Sequence, residues 1–122
     1  MSEASEVDAN TIGTRSLISA TNDALKKAAE IAALLLAGRI DFVIGVRQLD
    51  TALRASEQVH EPFARSIAGV ASEIDDVIVG EGRTLWSSPY LKRVDGEVSD
   101  YASRVRDAVS DACRIVIARA GR

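Results

Sequence analysis

This 122-residue chain holds only one cysteine, one histidine and one tryptophan. A single thiol closes no intrachain disulfide, and Cys113 falls in an apolar stretch, CRIVIA, where it reads as a small buried hydrophobe. With His60 the only candidate base, Ser-His-Asp and Cys-His arrangements have little to draw on, and no strand-turn-helix elbow is present to strain a serine. Long apolar runs are missing too. The longest, 31–37, falls far short of the ~20 residues that cross a membrane. The opening MSEASEVDANTIG is acidic and lacks the apolar core of a signal peptide. Aromatics are only 4% of the chain, and the basic residues are scattered, gathering no further than the doublets Lys26-Lys27 and Lys92-Arg93. The basic face and stacking rings of a nucleic-acid binder are therefore not expected. A soluble chain of the reducing cytoplasm is the expectation, with no membrane and no nucleic-acid partner.

What the chain does have is helical periodicity. Residues 1–13 are small, polar and acidic and read as a disordered lead-in, leaving 14–122 as one domain. A first helix is expected over 14–37, with Ile18, Thr21, Leu25, Ala28, Ala32 and Leu35 recurring at three and four residues and Gly38 closing it. Asp41 is placed to cap a second helix, whose stripe is Phe42, Val46, Leu49 and Leu53. Pro62 opens a third at a first-turn position, where its missing N–H costs nothing, followed by Phe63, Ile67, Val70, Ile74 and Val77. A fourth is expected from about Asp95, with Val98, Tyr101, Val105, Val109, Ala112 and Val116 on one face. A short separate turn would start at Ser88 and Pro89. Short connections and no strand alternation predict an all-α, antiparallel four-helix bundle, with a glycine- and Trp-containing loop between the third and fourth helices. Gly45 and Gly69 interrupt helices, either because backbones approach closely there or because both face solvent.

Several apparent motifs dissolve on inspection. Glu57-x-x-His60 has the spacing of a di-iron ligand pair, but such a site needs the motif on two helices, and Pro62 puts it at a junction. VGEGRT has neither the preceding strand nor the spacing of a phosphate-binding loop. Glu73-x-x-Asp76 and Glu97-x-x-Asp100 form a pair of acidic motifs on adjacent helices, the arrangement that all-α nucleoside triphosphate pyrophosphohydrolases use for Mg²⁺, a hard ion that prefers oxygen. On ideal helices Glu73 lies roughly 90° and Asp76 roughly 150° from the apolar stripe. One carboxylate of each pair is expected to reach a shared groove while Asp76 and Asp100 face water, so no catalytic set, metal site or cofactor is expected. Two readings of Trp86 stand: with Tyr90 and Leu91 an exposed anchor for a partner, or, preferred, with Leu91 a plug folded onto the end of the bundle. Arg83 is then expected to pair with Glu73 or Asp76.

The segments LLLAGRIDFVIGVRQL and SEIDDVIVGEGRTLW, with a closing helix ending DACRIVIARA, resemble a family of small, uncharacterised bacterial helical proteins known only as a domain of unknown function. The matching positions are Gly38, Ile40, Gly45, Arg47, Leu49, Ser72, Glu73, Gly80, Arg83 and Trp86. Size, acidity and helix order also look like toxin-immunity proteins of the colicin D type, which implies a small acidic bundle that blocks a basic protein. The expectation is a non-catalytic interaction protein, immunity-like in its protein binding, with Glu73, Asp76, Arg83 and Trp86 as its binding residues; the alternative is the Mg²⁺-dependent pyrophosphohydrolase. Leu36, Ile40 and Ile44 lie off the main stripes and need cover, which predicts a homodimer.

Overall fold

The computed structural model describes residues 20–77 and 87–121, and these form an all-α four-helix bundle whose packing is that of an antiparallel arrangement. We label the helices α1 (20–36), α2 (Phe42–Ala55), α3 (Pro62–Glu73) and α4 (Ser88–Ala120). The lead-in 1–13, the start of the first helix with Ile18, and the glycine- and Trp-containing loop lie outside the described residues.

Local chemistry sets most of the helix ends. At the end of α1 the Arg39 N–H donates to the Leu34 carbonyl at 2.9 Å and the Gly38 N–H to Leu35 at 3.2 Å, with Gly38 at φ 68°. This paired closure satisfies carbonyls that the helix leaves without partners. The Asp41 carboxylate accepts from the Ile44 N–H at 3.1 Å and caps α2. Pro62 occupies the first turn of α3, and the Glu61 side chain before it reaches across to α4 instead of capping.

The core is one cluster drawn from all four helices. Ala28, Ile31 and Ala32 contribute from α1, Val43, Val46, Leu49 and Leu53 from α2, and Phe63, Ile67 and Val70 from α3, with Ile74 just beyond it. α4 adds Val109, Ala112, Cys113 and Val116. Val43 is buried, while Phe42, expected on the α2 stripe, is half-buried against the cluster. Val98, Tyr101 and Val105 are also half-buried against the cluster. The two interior glycines differ. A Cβ on Gly45 would lie 2.6 Å from Leu35 Cδ2 and 2.9 Å from Ile40 Cγ2, whereas nothing stands within 4 Å of one on Gly69. Close approach explains the first and an open face the second.

Two helix boundaries correct the sequence reading. α4 does not start near Asp95 after a separate turn. It is continuous from Ser88, because Ser87 accepts from the Tyr90 N–H at 3.4 Å as a cap and Leu91 and Val94 carry the apolar period upstream of Val98. Its 33 residues span about 50 Å, against roughly 18 Å for α3, so its N-terminal half runs past the end of α3. α3, expected to continue through Val77, ends at Glu73. There Arg47, on α2, donates from Nη2 to the carbonyls of Ile74 at 2.6 Å, Asp75 at 3.0 Å and Val77 at 2.6 Å. A guanidinium at the negative end of a helix dipole stabilises it by about 0.3–1 kcal/mol beyond the hydrogen bonds. At the far end of the bundle Arg119 makes a two-pronged ion pair with Glu61, at 3.1 and 3.3 Å, and lies 5.1 Å from the centre of the Phe63 ring.

Candidate functional site: the cleft between α3 and α4

Where α3 stops and α4 runs on, the two helices leave a cleft of about 350 Å³. Its apolar lining comes from Ile74 and Val77 on one side and Leu91, Val94 and Val98 on the other. Its polar lining is Glu73, Asp76, Glu97, Tyr90, Tyr101 and Arg104, which sets three carboxylates against one guanidinium. Arg104 lies 5.7 Å from the Tyr101 ring centre and Arg93 lies 5.4 Å from that of Tyr90, so both rings carry a cation on one face. Burial raises the Tyr101 phenol above its ordinary pKa of 10.0. The Glu73 carboxylate raises it further, and Arg104 opposes both. Tyr101 is therefore neutral near pH 7 and offers an O–H donor at the cleft wall.

Of the residues singled out from sequence, Glu73 and Asp76 meet here, and Glu97 joins them. Asp100 is exposed and stands outside the cleft, as its helical angle requires. Asp76 is exposed to water, as expected, and lines the cleft as well. The roughly 150° angle holds only on a continuing helix, and Asp76 sits in the turn after Glu73. Arg83 and Trp86, with the expected pairing of Arg83 to Glu73 or Asp76, lie outside the described residues. Glu57 and His60 sit in the α2–α3 junction, Glu57 at φ 62° and His60 exposed, so they share no helix face. Among the described residues no three His, Cys, Asp or Glu side chains are grouped to hold a metal ion.

Sequence reasoning missed the role of Arg47 and the cleft positions of Tyr90, Tyr101 and Arg104. Tyr101, expected on the apolar face of the fourth helix, packs against the core and lines the cleft at once. The available signal for Arg47 was its place between Val46 and Leu49, both buried, at the margin of a core stripe.

The residues expected to self-associate, Leu36, Ile40 and Ile44, differ in exposure. Leu36 is 39% exposed. Ile40 and Ile44 are each half-buried, and Ile40 lies over Gly45 within its own chain. Leu36 and Ile40 line a second, smaller groove of about 210 Å³ against α4, with Phe42 and Val109. Among the described residues no helix is long and apolar enough to cross a membrane. No protein-family model matches this chain, nor does any curated protein or solved structure.

Proposed function

We propose that the chain is a non-catalytic helical interaction protein, immunity-like in binding a basic protein partner, and that the α3–α4 cleft is its binding surface. The observation that carries this reading is that Glu73, Asp76 and Glu97 line one cleft together with apolar residues. An arginine or lysine from a partner has an apolar stem and a charged head, and such a cleft suits both parts. The chain's net charge of −3 favours encounter with a basic surface.

A two-dimensional NMR titration with a short peptide of alternating arginine and leucine tests the proposal. Shifts are expected at the amides of 73–77 and 91–104, reduced by raised salt and lost in the triple variant Glu73→Gln, Asp76→Asn, Glu97→Gln. Shifts spread evenly over the acidic surface, or an unaltered response in the triple variant, would overturn it.

The Mg²⁺-dependent pyrophosphohydrolase is the second reading, favoured by the three carboxylates on one cleft. Asp100 standing outside the cleft weighs against it, as does the absence of a ligand-like group of carboxylates among the described residues. Calorimetric Mg²⁺ binding that is stoichiometric and lost in Glu73→Gln would promote this reading over the first.

The proposal extends to self-association through Leu36, Ile40 and Ile44, supported by the exposure of Leu36 beside the second groove. It also extends to a cytoplasmic setting, supported by a sole cysteine that is buried as a thiol.

A further inference from the structure

Asp76 owes its place on the cleft to a residue that does not line it. The Nη2 nitrogen of Arg47 carries two hydrogens and faces three carbonyls, those of Ile74, Asp75 and Val77, so one donation is shared. The Ile74 carbonyl also accepts the Val77 N–H at 3.2 Å, the bond that closes the turn. The backbone on both sides of Asp76 is thereby held from α2, while Asp76 itself is exposed and lines the cleft. Arg47 itself lines a separate groove between α1 and α2, together with Lys27 and Gln48, so it reaches the cleft only through this turn.

We infer that Arg47 is a positioning residue for the cleft: its guanidinium fixes the Ile74–Val77 turn, and through it the direction from which Asp76 meets a basic partner. The inference rests on the cleft-binding reading above. It adds that the reading frame of the site is set from α2 and not by the two helices that wall it. A helix end held only by its own backbone frays. A planar guanidinium engaged with three carbonyls instead fixes their relative orientation.

The experiment is a double-mutant cycle with the arginine–leucine peptide as probe. In the wild-type background Asp76→Asn is expected to weaken binding roughly tenfold, and in an Arg47→Gln background to have no further effect, because the displaced carboxylate no longer meets the peptide. Glu97→Gln, on the other wall, is expected to weaken binding equally in both backgrounds, which general loosening of the fold would not produce. Without peptide, the Val77 amide is expected to exchange at least roughly tenfold faster in Arg47→Gln. If that variant loses helicity, Arg47→Lys, which keeps the charge but lacks the planar fork that orients the three carbonyls, takes its place in the cycle. Additive losses at Asp76, or unchanged exchange at Val77, overturn the inference while leaving the cleft reading intact. A wild-type chain that does not bind the peptide overturns both.

Discussion

Gly38 and Glu57 hold the same position in two successive helix ends. Each is the left-handed residue just past the helix, at φ 68° and 62°, and each is followed by an N–H that donates five residues back: Arg39 to Leu34 and Gln58 to Leu53. Glycine adopts this conformation freely, whereas a residue with a Cβ is strained by about 1–2 kcal/mol. Glu57→Gly should therefore stabilise the protein by about 0.5–1 kcal/mol once the added freedom of the unfolded chain is subtracted, and Gly38→Ala should destabilise it by about 1 kcal/mol. Urea unfolding of both variants checks the opposite signs. Equal destabilisation by the two would sink the equivalence.

The two interior glycines should also respond in opposite directions. Alanine at position 69 meets open space and gains about 1 kcal/mol of helix preference. Alanine at position 45 gains the same preference but drives a methyl into Leu35 and Ile40, and overpacking of this kind costs about 1–3 kcal/mol. Gly69→Ala is expected to raise the melting temperature and Gly45→Ala to lower it. Calorimetry on the pair decides the matter.

Cys113 should make the fold sensitive to alkali. Burial pushes its thiol up to about 11 from the ordinary 9.0, with Arg114 pulling it back. The raised folded value means that no stability is lost well below pH 9, where the thiol is neutral in both states. As pH climbs from 9 to about 11 the unfolded thiol ionises first, and up to about 2–3 kcal/mol of stability drains away. Urea unfolding at pH 8 and pH 10.5 should show a steeper decline for wild type than for Cys113→Ala. Parallel declines would mean the thiol is not buried.

Self-association should depend on the α1–α2 corner. If Leu36, Ile40 and Ile44 meet a second copy, the wild-type chain sediments as a dimer, and Ile44→Glu sediments as a monomer with its helical circular dichroism intact. Ile44 is half-buried, so a charge there leaves the core cluster untouched. A wild-type chain that is monomeric at high micromolar concentration removes the dimer from the proposal.

Sequence alone determined the helices and most of the core. Leu25, Ala28 and Ala32, then Val46, Leu49 and Leu53, then Phe63, Ile67 and Val70 recur at three and four residues, and that spacing is a local property of the chain that needs no partner to be read. The caps were legible for the same reason. Asp41 bonds to an N–H three residues on, and Gly38 turns the chain by its own freedom of rotation. The cleft was legible only in part. Glu73 and Glu97 followed from helical angles, and so did the exposure of Asp76, but its place on the cleft did not, since that depends on where α3 stops. The site's setting was decided by tertiary structure. Arg47 reaches Ile74 across 27 residues of sequence, and α4 extends past the end of α3 because its apolar stripe continues upstream to Leu91. Periodicity reports which face of a helix is apolar. It carries no information about which distant side chain meets the helix end, because that contact is a property of two segments brought together by packing.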